Sequence, residues 1–174
     1  MAKKKIENNL SLWWTLAIIP LVLLGIWIYT TTMQLKHNPV VSSNTQSVLV
    51  YYAISTETDF EFVGVERMVP KTDNVNELSL AAIREWIKGP TEGQKSQGMS
   101  NVLNEGVVVN LVEIKDGQAT IDFNDKFDTP MGGSARVMVI AQSLQRIMKQ
   151  FGVDGMTNIK LTINNGERAA VLEP

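Results

Sequence analysis

A long uncharged stretch near the N-terminus is the feature that most limits what this chain can fold into. No Asp, Glu, Lys or Arg occurs between Glu7 and Lys36, and most of the intervening residues are apolar. A bilayer core needs about 20 mostly apolar residues in a helix. The sequence therefore predicts a transmembrane signal anchor over residues 12–33.

Aromatic residues lie toward both ends of this stretch, where membrane interfaces favour them: Trp13, Trp14, Trp27 and Tyr29. A cleaved secretory signal is the main rival, but it would have a shorter apolar core of about 7–15 residues and an A-x-A-like site. No such site follows the stretch. A buried core helix is the third interpretation, and it is disfavoured because the segment is apolar on every face. An uncleaved anchor fits best.

The basic residues before the anchor predict its orientation. Lys3, Lys4 and Lys5 favour a cytoplasmic N-terminus for residues 1–11. The polar residues 34–46, which include His37 and Pro39, are expected to form a flexible stalk. We therefore expect a single-pass protein of the bacterial cytoplasmic membrane, with residues 47–174 folded as an extracytoplasmic domain.

Composition excludes several kinds of chemistry. The chain has no cysteine, so disulfides, thiolate metal sites and a lipid-modified cysteine are impossible. His37 is the single histidine, which nearly removes histidine-based catalysis and multi-histidine metal sites. The net charge of −2 gives no indication of nucleic-acid binding. We expect no cofactor and no bound metal.

The hydrophobic pattern of residues 47–174 predicts the element order ββα–ββα–ββ. The first helix is expected to begin at Asp73 or Asn74 and to end at Gly89–Pro90, and the second to run from a Ser134 cap to Gly152. The strands are expected near 47–54, 62–70, 106–114, 118–123, 158–163 and 167–172. This order predicts an α+β fold with a mixed, mostly antiparallel sheet and two helices.

Three segments in this order resemble the GerMN (sporulation and spore germination) domain family. They are "LAAIREWIKGPTEGQKSQGMSNVL", the hairpin "VVNLVEIKDGQATIDFNDKF", and "GGSARVMVIAQSLQRIMKQF", followed by a last strand within Asn158–Gly166. The resemblance covers most of the chain from Val48 to Leu172. The motifs are weak one by one and persuasive together.

The resemblance implies an envelope module outside the cytoplasmic membrane, with a fold similar to the ring-building motifs of secretion and sporulation channels. It implies a role in sporulation or germination and supplies no catalytic residues. The chain departs from the family in lacking a lipid-bearing cysteine, which the predicted span replaces. It also has one copy of the domain, whereas some members have two.

A glycine-rich loop, Gly89–Gly106, is the first candidate site. Three interpretations are open: a structural link, a surface for a ligand or partner, and a catalytic loop, with the structural link favoured. The residues that could form a partner or ligand surface are Thr91, Gly93, Gln94, Ser96, Gly98 and Asn101.

The segment "IDFNDKFD" is the second candidate, because Asp122, Asp125 and Asp128 could bind calcium or serve as a carboxylate pair. The spacing breaks the calcium-loop pattern, so a solvated strand end is favoured. Ser134, after two glycines, could cap a helix or help hold an anion there, and capping is favoured. We include Asp122, Asp125 and Ser134 in the possible partner surface.

Three functions remain open at this point. A non-enzymatic scaffold that docks an envelope protein or copies of itself is favoured. The second is a peptidoglycan or glycan binder in which aromatic side chains stack on sugars, with Tyr51, Tyr52, Phe60, Phe62 and Trp86 as candidates. Of these, Tyr52 is expected to be exposed and Trp86 to lie in the core. The third is a wall hydrolase acting through Asp122, Asp125 or Glu105.

Overall fold

The computed structural model describes residues 24–26, 29, 44–130 and 132–172. Apart from 24–26 and 29, the predicted anchor lies outside the described residues, as does the predicted stalk before residue 44. Among the described residues, no helix combines the length and the apolar character that crossing a bilayer requires. The chain divides into two units after Ser42, and the elements below belong to the second.

The predicted α+β class is confirmed, with short additions to the predicted order. The loop after the first helix contains a further single-turn helix and a two-residue strand. The elements are β1 (Thr45–Ser55), β2 (Phe60–Pro70), α1 (Val75–Ile87), α2 (Glu92–Lys95), β3 (Met99–Ser100), β4 (Val109–Lys115), β5 (Gln118–Phe123), α3 (Ser134–Lys149), β6 (Ile159–Ile163) and β7 (Arg168–Ala169), with 3-10 turns at Asp125–Phe127 and Met156–Asn158. β1 begins two residues before the predicted domain boundary.

The strands form two sheets, where the sequence predicts one. β2, β1 and β3 form an antiparallel three-stranded sheet, and β4, β5, β6 and β7 form a four-stranded sheet in that order. β5 and β6 pair in parallel, and the other neighbours in the four-stranded sheet are antiparallel. β5 and β6 are parallel because α3 connects them. A crossover helix brings the chain back to the end of the sheet at which β5 begins, so β6 runs in the same direction as β5.

One hydrophobic core joins the two sheets and the two long helices. α1 contributes Trp86 and Ile83, and α3 contributes Leu144 and Ile147, all fully buried. The inner faces of the sheets supply the rest, including Val48, Val50, Tyr52, Ile121, Phe123 and Ile163. Burying one such side chain contributes roughly 1.5–3 kcal/mol to the free energy of unfolding. The apolar faces of the two long helices, which the sequence predicts, therefore contribute substantially to stability.

The helix ends test the predicted caps. Asn74 caps α1, since its side chain accepts hydrogen bonds from the backbone N–H groups of Asn76 and Glu77. The prediction that Ser134 caps α3 is wrong: Gly133 occupies the N-cap position in an extended conformation and has no side chain that could accept a hydrogen bond from the first turn. Gly152, at φ 82°, ends α3 as predicted, and the bonds from its N–H to Lys149 and from Val153 N–H to Met148 complete the usual glycine stop.

Candidate functional site

The loop after α1 is closely tied to the fold. Gly89 adopts φ 81° and donates its N–H to the Trp86 carbonyl. The Asn101 side chain returns to the same helix end and donates to the carbonyls of Trp86 and Ile87, at 3.0 and 3.5 Å. These bonds satisfy carbonyls that a helix end otherwise leaves unpaired. Asn101 therefore has a capping role in this fold.

The middle of the loop forms its own short structure. Thr91 and Gln94 make a reciprocal capping box around α2, and Gln94 Oε1 also accepts from Arg67 of β2 at 2.8 Å. Ser96 donates to the Gly93 carbonyl at 2.7 Å, and Gly98, at φ 87°, leads into β3. The structure thus favours the structural link among the three interpretations of this loop, although its polar side chains are largely exposed.

Asp122 is buried, which corrects the expectation of a solvated strand end. Its carboxylate accepts hydrogen bonds from Asn110 Nδ2 (2.8 Å), Thr162 Oγ1 (2.7 Å) and the backbone N–H groups of Asn165 (2.8 Å) and Gly166 (2.9 Å). Burial raises the pKa of Asp122, but these hydrogen bonds together outweigh it and lower the pKa below its ordinary value. The carboxylate therefore stays ionised and joins β4, β5, β6 and the turn after β6.

Asp128 is also buried and belongs to a different network. Arg168 binds its two carboxylate oxygens, with 2.8 Å between Nη2 and Oδ1, and the Val171 N–H donates at 2.9 Å. The Arg168 hydrogen bond is the main reason that the pKa of Asp128 falls from 3.8 to about 2, against the opposing effect of burial. Asp128 thus fixes the segment after β7 to the 3-10 turn.

The three predicted carboxylates do not form one site. Asp122 and Asp128 are each held by separate partners, and Asp125 is exposed to solvent. Within the described part of the chain, no group of three or more His, Cys, Asp or Glu residues could hold a metal ion. The calcium arrangement considered from the sequence is therefore not assembled by these residues.

Two of the five candidate sugar-stacking aromatics are fully buried, and Tyr51, Phe60 and Phe62 are half-buried. Tyr52 is fully buried, because it shares the inner face of β1 with Val48 and Val50, so the expectation of an exposed Tyr52 is wrong. Its hydroxyl donates to the Glu85 carbonyl at 3.2 Å. Trp86 is fully buried as expected. The guanidinium carbon of Arg146 lies 4.2 Å from the centroid of the Phe62 ring.

The outer face of the four-stranded sheet is a surface that the sequence reasoning did not single out. Strand register places Leu111 opposite Asp122, Glu113 opposite Thr120, and Thr120 beside Lys160. Because alternate residues of a strand face opposite sides, these side chains point away from the core. We call this surface the outer face and define it by Leu111, Glu113, Lys115, Gln118, Thr120 and Lys160.

Two shallow hollows lie on the outer face. One, of about 230 Å³, is lined in part by Leu111, Thr120 and Lys160. The other, of about 340 Å³, is lined by Glu113, Lys115, Asp116, Gln118 and Thr120. Leu111 is 48 % exposed among charged neighbours of both signs. The outer face thus presents one half-exposed apolar side chain among charged and polar ones, a composition that resembles the polar rim of a protein–protein interface.

The residues predicted from the sequence are distributed over several parts of the fold. Thr91, Gly93, Gln94, Ser96 and Gly98 belong to the α2 loop, and Asn101 caps α1. Asp122 lies under the turn after β6, Asp125 lies in a 3-10 turn, and Ser134 is the exposed first residue of α3. The outer face could have been predicted from the regular alternation of polar and apolar residues in β5.

Comparison with solved structures supports the fold. A structure of the tandem GerMN domains of the sporulation protein GerM from Bacillus subtilis matches with a TM-score of 0.53 and 22% identity, over 79% of this chain and 48% of that one. The first GerMN domain of the same protein matches with a TM-score of 0.50 and 26% identity, over 71% of this chain and 86% of that one. This chain thus spans about half of the tandem structure. No curated protein matches.

A family model matches most of the folded domain. The family is Germane, described as sporulation and spore germination, and the match runs over residues 49–169. That range begins within β1 and ends at the last residue of β7. This chain therefore belongs to the Germane (GerMN) family of sporulation and spore germination domains.

Proposed function

We propose that this protein is a non-enzymatic docking module of the bacterial cell envelope. In this proposal residues 12–33 anchor it in the cytoplasmic membrane with the N-terminus inside, and the GerMN domain lies outside. The domain binds another envelope protein or further copies of itself in a cell-wall, division or sporulation-type assembly. The turn that Asp122 holds and the outer face beside it form the contact surface.

The observation that carries this proposal is the outer face itself. Its inner counterpart packs against the core, while no described element of the chain covers Leu111, Glu113, Lys115 or Lys160. Because strand pairing fixes the spacing of these side chains, the face is ordered before a partner arrives. A preordered surface loses less conformational freedom on binding. Such a surface suits recognition of a folded protein.

The state of the carboxylates supports docking over hydrolysis. A glycoside hydrolase needs one carboxyl group with a raised pKa to protonate the leaving group. The pKa values of Asp122 and Asp128 are both lowered, and their oxygens accept hydrogen bonds from the fold. Asp122 and Asp128 are therefore ionised at neutral pH and do not fit the role of the acid.

The predicted anchor makes a weak contact sufficient. Holding a domain close to one membrane raises its effective concentration toward partners in the same membrane, into the millimolar range for short flexible links. A small, partly polar face such as this one could therefore act without high affinity. The family description, sporulation and spore germination, names a setting in which such an assembly would act.

Site-directed photo-cross-linking of the full chain in native membranes tests the proposal. A benzophenone amino acid is placed at Leu111 or at Lys160 on the outer face, and at Lys149, an exposed residue of α3, as the matched control. The proposal predicts one reproducible protein adduct from the two outer-face positions and none from Lys149. Equal adducts from all three positions, or no adduct at all, would contradict it.

The same membranes separate docking from glycan binding. Full chain extracted from them in mild detergent is mixed with purified cell-wall sacculi and sedimented. Docking predicts that the chain stays in the supernatant, and that the outer-face adduct is a protein of defined mass. Sedimentation with sacculi that is lost in a Leu111→Glu variant would replace docking with glycan binding.

A further inference from the structure

Within the described residues, β2 is a long edge strand to which no other strand pairs on one side. It runs over Phe60–Pro70 and pairs along its whole length with β1, and the order β2-β1-β3 leaves its other side at the margin of the sheet. Edge strands of this length expose a row of backbone donors and acceptors that can pair with another strand. Natural proteins commonly shorten or cover such edges, so a long open one calls for a function.

Two observations determine which backbone groups of β2 face outward. The Lys71 N–H donates to the Asn44 carbonyl, and the Leu49 N–H bonds to Gln150 in place of β2. Because inward and outward groups alternate along an antiparallel pair, the odd-numbered residues of β2 bond β1. The even-numbered residues therefore face the open side, and nothing in the described chain bonds the backbone of Phe62, Gly64, Glu66 or Met68.

We infer that β2 pairs with β2 of a second copy of this chain, antiparallel, about a two-fold axis through Gly64. This arrangement would join the two three-stranded sheets into one continuous sheet across two copies. It deepens the proposed docking function by naming one partner and a separate contact. The outer face lies on the other sheet, so either contact can fail while the other stands.

The charges along β2 favour this register over a shift of its centre toward Pro70. With Gly64 opposite its own copy, Glu61 lies opposite Arg67 of the second copy, and Val63 lies opposite its Val65. Both pairs occur twice, and both fall at the positions between hydrogen-bonded pairs, where side chains approach most closely. Shifting the centre by one residue, to Val65, removes both ion pairs. Shifting it by two sets Glu66 opposite Glu66.

The local structure prepares these residues for the contact. Gly64 is exposed and its α-carbon lies beneath the Tyr51 ring, since a Cβ there would be 3.1 Å from Tyr51 Cε1. Arg67 is already oriented, with its guanidinium bonded to Gln94 at 2.8 Å and its Cζ 5.7 Å from the Tyr52 ring centroid. Glu61 is exposed. The cation is therefore held in place and the anion is free to reach it.

Cysteine cross-linking of the full chain tests the register, because the natural sequence has no cysteine. Membranes containing both a Glu61→Cys chain and a Arg67→Cys chain are oxidised. Opposite Cα atoms at such a position are about 4.5 Å apart, within disulfide range. The inference predicts a disulfide-linked dimer from the mixture. In that dimer the other Glu61–Arg67 pair stays intact.

Three controls make the cross-link specific. Neither single variant alone is predicted to form the dimer, because like positions lie about 20 Å apart in this register. Glu66→Cys, an exposed position on the same edge, is likewise predicted not to link to itself. Absence of the mixed dimer, or equal linkage by any of the three single variants, would overturn the inference.

A charge exchange supplies a second, independent readout. Sedimentation of the full chain in detergent gives the dimer dissociation constant. Glu61→Arg and Arg67→Glu each create two like-charge pairs and are predicted to raise that constant about tenfold or more. The double variant restores both pairs and is predicted to return it to within about threefold of the wild type. Failure of the double variant to recover, with its thermal unfolding unchanged, would contradict the pairing.

Discussion

The side chain of Gln150 pairs with the backbone of Leu49 as a neighbouring strand would. Gln150 Nε2 donates to the Leu49 carbonyl at 2.7 Å, and Gln150 Oε1 accepts from the Leu49 N–H at 3.0 Å. β3 covers the same edge of β1 only at Ala53 and Ile54. The end of α3 therefore covers a stretch of β1 that no strand of residues 44–130 or 132–172 reaches, and β2 forms the opposite edge of that sheet.

Replacing Gln150 is expected to lower stability modestly. Gln150→Ala removes both bonds to Leu49, and each hydrogen bond contributes about 0.5–1.5 kcal/mol. Since Leu49 is 36 % exposed, water can form hydrogen bonds with its backbone in place of Gln150. We therefore expect the free energy of unfolding to fall by about 1 kcal/mol, measured by urea unfolding of the full chain in mild detergent. Gln150→Glu keeps the acceptor but sets a carboxylate against the Leu49 and Ile147 carbonyls at the C-terminal end of α3, so it should lose at least as much. Lys149→Ala, at an exposed neighbouring position, serves as the control. If Gln150→Ala lowered the free energy of unfolding no more than Lys149→Ala, the bonds to Leu49 would contribute nothing to stability.

Replacing Asp122 is expected to destabilise the domain strongly. Four donors converge on its carboxylate, and the amide of Asn would place a donor against some of them. Unsatisfied buried donors cost about 1–3 kcal/mol, so Asp122→Asn should lose about 2–4 kcal/mol by urea unfolding. Asp125→Asn, at an exposed position, should change the free energy of unfolding by less than about 0.5 kcal/mol. Similar values for both variants would refute the structural role of Asp122.

Acid is expected to weaken the fold through Asp128. Its pKa is lowered in the folded state, from 3.8 to about 2, so the ionised form is the one that folding favours. This contribution is present in full above about pH 5 and disappears as the pH falls toward 2, with a size on the order of 2 kcal/mol. Stability measured between pH 7 and pH 2 should fall less steeply in Asp128→Asn than in the wild type. Parallel profiles would rule out this contribution.

Two glycines of the loop are expected to respond in opposite directions. Gly89 has φ 81°, a left-handed conformation that costs other residues about 1–2 kcal/mol, so Gly89→Ala should destabilise by about that amount. Gly93 lies in α2 with open space around its Cα. Gly93→Ala should therefore be neutral or stabilise by up to about 1 kcal/mol. Thermal unfolding of both variants checks this, and a loss in Gly93→Ala as large as in Gly89→Ala would contradict it.

The elements that could be predicted are those determined by local pattern. β5 occupies the predicted residues 118–123, because its alternation of apolar and polar side chains is regular and a tight turn precedes it. α1 and Gly89 follow in the same way from a helical stripe and a stop signal. The division into two sheets was missed, because the parallel pairing of β5 with β6 depends on how α3 packs and not on either strand alone.

The candidate site was harder to predict than the fold. The donors to Asp122 come from positions 110, 162, 165 and 166, which only strand register and a left-handed turn bring together. In the sequence, Asp122 looks like any polar residue at a strand end. Tyr52 was misjudged for a related reason, since α1 covers the face of β1 that carries it. Contacts between distant segments decide both cases.

The most direct measurement of the docking proposal is the yield of outer-face adduct from a charge-altered chain. The benzophenone amino acid stays at Leu111, and Lys160 is changed to Glu in the full chain in native membranes. The account predicts that the protein adduct falls at least about fivefold while thermal unfolding shifts by less than about 2 °C, as for an exposed surface residue. An adduct of unchanged yield and mass would show that the outer face does not carry the contact.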